Sequence, residues 1–340
     1  VDIEQNNNLS QPSPSSGPIP AKQKKRTGWR VFWSIFLSFS VLANIILFFA
    51  LAALSAVFLT GQRGIFTEQV IQAGPKTAKI AVVNVQGIID GKMADDFYNQ
   101  LKVARQDKNV KGLIIPINSP GGTVSASDRI YNEIQKYRNL SNQPVVAMAQ
   151  GVAASGGYYA SVACEKIIAE PTVITGSIGV IMGHFVLQEL LEEKLGIVPV
   201  IIKSGEKKDW PSPFSPVTDE QRQYLQTKII EPAYQRFVTI VDQGRALIDT
   251  EQVKRLADGS IYGANESLDE GLIDNIGYLD DAIAMVKEMA GIDKAHVIEY
   301  RKPFSMSEMF GAHNGSLLKF NKAAIYELNI PQVMYLWPGY

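Results

Sequence analysis

Ala153-Ala154-Ser155-Gly156-Gly157-Tyr158-Tyr159 follows a strand-like run, Pro144 to Ala149, and its reading decides the fold. A strand that turns sharply into a helix exposes the residue at the turn, and small neighbours let a peptide backbone approach, so Ser155 reads as a nucleophile. The first helical turn leaves backbone N–H groups unpaired and partly positive, which would stabilise an oxyanion forming beside Ser155. The same residues also fit a glycine-rich helix start packed on a neighbour, with Ser155 merely its cap. What separates the two accounts is the rest of the chain.

Upstream, Lys79 to Val85 reads as a strand, Asp95 to Arg105 as a helix and Gly112 to Ile117 as a buried strand. A turn, Asn118-Ser119-Pro120-Gly121-Gly122, then leads into a helix from Ser125 to Tyr137. Downstream, Lys166 to Ala169, Ile178 to Met182 and Val198 to Ile202 read as strands, with a helix from Leu187 to Leu195 between the last two. Strand and helix alternate at short spacing, which predicts an α/β core of mostly parallel strands with flanking helices. Both glycine turns fall at strand C-terminal ends, where such sheets carry their sites. Trp210 to Pro216 is too proline-dense for helix or central strand, Thr218 with Gln221 makes a capping box for a long helix to Ile248, and helices at Thr250 to Ala257 and Leu279 to Ala290 precede a last strand, Val297 to Tyr300.

The chain has 340 residues, 33 basic against 34 acidic, so nothing in its charge argues for nucleic acid. No motif asks for a metal or a cofactor, and the single Cys164 cannot form an internal disulfide. Residues 1–30 read as a disordered, basic cytoplasmic tail, and 31–60, without a charge, as a transmembrane anchor held in lipid. Lys22, Lys24, Lys25, Arg26 and Arg30 precede the apolar run, so the positive-inside rule places the N-terminus in the cytoplasm and everything after Thr60 outside it. Ala50-Leu51-Ala52 resembles a signal-peptide cleavage site, but the run is longer than a signal core and continues past it. A linker, 61–77, leads to the folded domain, 78–300. The extension 301–340, with Met334, Tyr335, Leu336 and Trp337, is apolar enough to dock on a neighbour or on the membrane surface.

A serine needs a base, and the histidines, His184, His296 and His313, lie in no recognisable motif. A lysine can serve if desolvation lowers its pKa toward working pH. Lys203-Ser204-Gly205-Glu206-Lys207-Lys208-Asp209 puts lysines at a strand's C-terminal end, on the same side as Ser155, although a solvated basic loop fits equally well. Ser177, in Thr175-Gly176-Ser177-Ile178-Gly179, could hold the amine, and the glycines of Asn118 to Gly122 could present a second oxyanion donor.

Together, in this order, the Asn-Ser-Pro-Gly-Gly turn, Ala-Ser-Gly-Gly-Tyr-Tyr, Thr-Gly-Ser-Ile-Gly-Val and Lys-Ser-Gly-x-x-Lys-Asp resemble the signal peptide peptidase A family from about Ile80 to Tyr300. The resemblance implies a membrane-bound serine protease on the Clp protease/crotonase-like fold, with a Ser/Lys dyad that degrades signal peptides and other hydrophobic peptides left at the membrane. It implies Ser155 as nucleophile, Lys208 before Asp209 as base and Ser177 as the residue coordinating the lysine. Gly156 and one of Gly121 and Gly122, with Gly122 favoured, would line the oxyanion hole. Lys207 stands where the family has a small or aromatic residue and is expected to point to water. One copy of each motif resembles the short form of the family, a homo-oligomeric ring with serine and lysine supplied by adjacent subunits. Two rival functions fit parts of the chain: a crotonase-like acyl-CoA enzyme and a non-catalytic membrane scaffold.

Overall fold

Leu113, Ile115 and Ile117 alternate with Ile114 along one strand, and that alternation sets the architecture. The strand, β4 (Val110–Ser119), buries the first three in one core and Ile114 in another, as a period of two requires for a sheet covered on both faces. The structure, a computed structural model, describes residues 27–60, 66–302 and 332–338. Around β4 the sheet runs β1 (Thr67–Gln72), β12 (His296–Arg301), β2 (Lys79–Val82), β4, β6 (Val145–Ala154), β7 (Lys166–Ala169), β11 (Asn275–Ile276). All of these neighbours pair in parallel except β1, which is antiparallel to β12. Short β3 (Val85–Gln86) extends along β4, β8 (Ile174–Gly176) along β6, and β10 (Ile261–Gly263) pairs back on β8.

One face is covered by α2 (Gly91–Gln106), α3 (Val124–Ser141) and α6 (Glu231–Gly244). α2 starts where Asp90 accepts from Met93 N–H and presents Ala94, Phe97, Leu101 and Ala104 as a helical stripe. α3 starts on Thr123 and buries Ile130, Ile134 and Tyr137. The opposite face is covered by α9 (Leu279–Ala290) through Ala282, Ile283 and Val286, packed on Ile80, Val82, Ile114 and Val146. The helix predicted from Thr218 begins with the expected capping box but ends at Gly244, after a π-helical turn at Gln226–Ile230.

Three expectations need correction. Val198 to Ile202 forms no strand: it has no pairing partner among the described residues, and Ile202 is 95% exposed. β-branched sequence fits a paired, half-buried surface, and here that surface is missing. The strand expected at Ile178 to Met182 is divided, because Gly176 (φ 80°) and Ser177 (φ 49°) both adopt left-handed backbone; β8 ends there and β9 (Ile181–Gly183) joins a second sheet. The C-terminal residues that were expected against a neighbour or the membrane surface pair with their own chain over residues 332–336. There β13 (Gln332–Leu336) lies antiparallel between β5 (Gly121–Thr123) and β9. Residues 1–26 of the basic tail and 303–331 of the extension, His313 among them, lie outside the described residues, and residues 27–30, expected in the tail, form the first turn of a helix.

Before the linker, α1 (Thr27–Thr60) carries the expected apolar run, and Gly28–Ala53 has a mean hydropathy of 2.5. Among the described residues it is the one helix long and apolar enough to cross a membrane. Trp29, Phe32, Trp33 and Phe36 cluster at its start, where interfacial aromatics belong.

A buried ion pair ties the far edge of the sheet to the helix after Ser155. Arg245 binds Asp274 at 2.8 Å and the Gly271 carbonyl at 2.9 Å, while Asp274 also accepts from Ile167 N–H at 2.8 Å. Burial pushes the Asp274 carboxyl up, but the Arg245 hydrogen bond and charge outweigh it and hold the carboxyl below its ordinary value. The Leu272 carbonyl in the same turn accepts the hydroxyl of buried Tyr158 at 2.9 Å. Replacing Arg245→Met leaves the carboxylate only the Lys166 ammonium at 3.1 Å and Ile167 N–H, and should cost up to about 3 kcal/mol in urea unfolding, while Arg245→Met with Asp274→Leu should recover most of it. Because the carboxyl is held low in the folded state, the pair's contribution is present above about pH 4 and should fade as pH falls through the folded value.

Candidate active site

β4 and β6 run in parallel with Ser119 opposite Ala153, so the chain leaves both strands side by side. From β6 it turns at once into α4 (Gly156–Ser161), and the turn is Ser155 itself, at φ 52° and ψ −115°. A non-glycine residue in that region stores about 1–3 kcal/mol of strain and needs its surroundings to hold it there. The hold is visible: Ser155 N–H donates to the Gly176 carbonyl at 2.8 Å, and its own carbonyl accepts from Tyr159 N–H at 2.8 Å. Ser155 is 1% exposed, and its hydroxyl has no hydrogen-bond partner among the described residues.

From β4 the chain passes Ser119, whose hydroxyl accepts from Gly121 N–H at 3.0 Å. The two turns meet through their glycines. A Cβ on Gly121 would lie 2.6 Å from Gly156 N and 2.0 Å from the Tyr335 carbonyl oxygen; a Cβ on Gly156 would lie 2.4 Å from Ser127 Oγ. Gly122 packs on Ile89 and sits opposite Tyr335 in the β5–β13 register. Ser177 follows Gly176 directly, and Ser260 accepts its N–H at 2.7 Å. The structure therefore brings Ser155, Gly156, Gly121, Gly122 and Ser177 together.

It does not bring Lys208 to them. The loop Glu206–Asp209 is a single exposed 3₁₀ turn beyond the unpaired Val198 to Ile202 segment. Its three lysines nonetheless differ. Lys203 binds Asp209 at 2.7 Å, and that hydrogen bond holds the Asp209 carboxyl below its ordinary value. Lys207 does not simply point to water: its ammonium sits 4.9 Å from the Trp210 ring and 4.7 Å from that of Tyr224, with Glu220 at 3.7 Å. Lys208 has no side-chain partner among the described residues.

Sequence reasoning missed β13. Tyr335 is fully buried, stacked on Tyr159 with ring centroids 4.8 Å apart, and its hydroxyl donates to the Ala233 carbonyl at 2.7 Å. Trp337 N–H donates to Pro120 at 2.8 Å. The run Val333 to Trp337, bounded by Pro331 and Pro338, was the signal for a strand. Cys164 lies in the turn after α4, where burial pushes its thiol up.

Two family profiles match the chain: Peptidase family S49 over residues 138–293 and Clp protease over residues 67–172. The chain is 38% identical over 260 residues to a signal peptide peptidase SppA of Enterococcus faecium, covering 72% of this chain and 74% of that one. It is 35% identical over 237 residues to a protease of Methanocaldococcus jannaschii, covering 67% and 75%. Protease 4 of Haemophilus influenzae shares 37% identity over 218 residues, which is 62% of this chain and 35% of that one. These relatives set aside the acyl-CoA and scaffold readings. The chain belongs to peptidase family S49, the signal peptide peptidase A family, and is a serine protease on the Clp protease fold.

Proposed function

We propose that this serine protease is anchored by α1 with its N-terminus in the cytoplasm, and that it cleaves signal peptides and other hydrophobic peptides at the membrane with a Ser155/Lys208 dyad. The observation that carries the reading is the strained Ser155 turn, which opens α4 at Gly156 and meets the Gly121 turn, because a hydroxyl at a helix start lies beside backbone donors that the helix leaves unpaired. Ser155 Oγ attacks the peptide carbonyl as the unprotonated Lys208 amine takes the hydroxyl proton. The oxyanion is held by Gly156 N–H and by Gly122 N–H, since that of Gly121 already donates to Ser119. The proton passes to the departing amine, leaving an ester on Ser155. Lys208 then draws a proton from water, which attacks the ester and frees the acid. Ser177, one residue from the Gly176 carbonyl that fixes Ser155, orients the amine.

Peptide is proposed to enter as an antiparallel strand between β5 and β9 by displacing β13, which fills that place and shows the mode of pairing. Backbone pairing supplies affinity that does not depend on sequence, and the aromatic wall of Tyr159 and Phe237 suits a hydrophobic side chain.

The dyad is proposed to form between copies in a homo-oligomeric ring. Among the described residues the Ser155 hydroxyl has no hydrogen-bond partner and exposed Lys208 has no side-chain partner, and Phe185, Leu190, Leu195, Val198, Val200 and Ile202 are exposed along the segment before it. Apolar surface of that extent favours burial against a partner.

Ser155→Ala and Lys208→Ala should each abolish peptide cleavage, while Lys207→Ala should change it only modestly; the opposite order of the two lysines would reject Lys208. Mixing the Ser155→Ala and Lys208→Ala proteins under verified subunit exchange should restore part of the activity, and no recovery would exclude a shared site. Ser155→Gly should remove activity yet leave stability to urea unchanged or raise it by up to about 1 kcal/mol, because glycine adopts φ 52° without strain. Protease added outside intact membranes should digest the domain after residue 66 and spare the N-terminal tail; protection of the domain would reverse the topology.

A further inference from the structure

Asn44 is the sole carboxamide in the apolar run of α1. It stands about 24 Å along the axis from Gly28 and about 14 Å from Ala53, well inside the hydrocarbon depth of a spanning helix. A carboxamide offers two N–H donors and an acceptor oxygen. One donor reaches the Ser40 carbonyl at 2.7 Å, four residues back on the same helix; among the described residues nothing meets the others. Polar groups left unmet in lipid are costly, and neighbouring helices usually satisfy them.

The residues around Asn44 are patterned. Trp33, Leu37, Ser40, Asn44, Leu47 and Leu51 recur at alternating steps of four and three, the 3.5-residue period of two helices wound together. At about 100° per residue they fall within an arc of about 80°, and Ile35, Phe39 and Ile46 lie opposite. All are exposed on α1.

The occupant of that face follows from two facts. Among the described residues no second helix is long and apolar enough to span, so the partner helix comes from another molecule. A carboxamide is also self-complementary: its donor and acceptor match those of an identical group facing it, as a buried Asn sets register in paired helices. We infer that α1 pairs in parallel with α1 of a second copy of this chain through the face from Leu37 to Leu51, with the two Asn44 side chains hydrogen-bonded to each other. The pairing rests on α1 being a membrane span and is independent of the dyad assignment.

The test uses the full chain in its native membrane. Leu37→Cys and Leu47→Cys should form disulfide-linked dimers on mild oxidation, while Ile35→Cys and Ile46→Cys should not; buried Cys164 sets the background. Adding Asn44→Val to Leu37→Cys should lower the dimer yield roughly threefold or more, and Asn44→Gln should keep it, since interhelical hydrogen bonds contribute on that order. Equal cross-linking on both faces, no cross-linking, an adduct to a different protein, or a yield indifferent to Asn44→Val would each overturn the pairing. Peptide cleavage by the same membranes separates the readings: face-specific cross-links lost with cleavage intact reject the helix pair and leave the protease assignment standing.

Discussion

The site depends on one register. Because β4 and β6 pair in parallel with Ser119 opposite Ala153, two turns leave the sheet at the same height, and Gly121 and Gly156 come into contact. Parallel strands need crossover connections, so these two glycines are 35 residues apart in sequence yet adjacent in space. A slip of one residue in β4 would turn Leu113, Ile115 and Ile117 into the space now held by Ile114, so the two cores on either side of the sheet fix the register. Packing at the centre of the domain thus decides the spacing of donors at its edge.

Holding Ser155 at positive φ requires support from elsewhere, and the stretch between Arg245 and Asp274 supplies it. Ser260 fixes Ser177, Tyr262 packs on Gly176, and the Leu272 carbonyl fixes Tyr158 three residues past Ser155. None of these residues belongs to a motif that the sequence announces. They act as a brace, and the buried Arg245–Asp274 pair sets where that brace stands.

The parallel core was legible because its cues are local: alternating apolar residues, capping boxes at Thr218, and glycines placed after strands. The sharp turn at Ser155 and the glycines that meet beside it were legible for the same reason. What escaped depended on distance or on partners. Val198 to Ile202 has strand composition, but composition cannot say whether a neighbouring edge exists. β13 needed the knowledge that β5 and β9 would stand apart by one strand's width, and that spacing arises only in three dimensions. The fates of Lys203 and Lys207 were likewise invisible, since each depends on which carboxylate or aromatic ring folds back beside it.

The contact between Gly121 and Gly156 also bears on how such a site can change over generations. A methyl group on Gly121 would run into Gly156 N, and one on Gly156 into Gly121 Cα and Ser127 Oγ. Gly121 therefore cannot gain bulk without displacing backbone, the Tyr335 carbonyl and Gly156 N, whereas at Gly156 the nearest atom is the movable Ser127 hydroxyl, with Gly121 Cα and the Tyr335 carbonyl at 3.1 Å behind it. The stricter constraint lies on the turn that follows β4. Variation in what the enzyme accepts has to arise around that turn, in side chains that can give way one at a time.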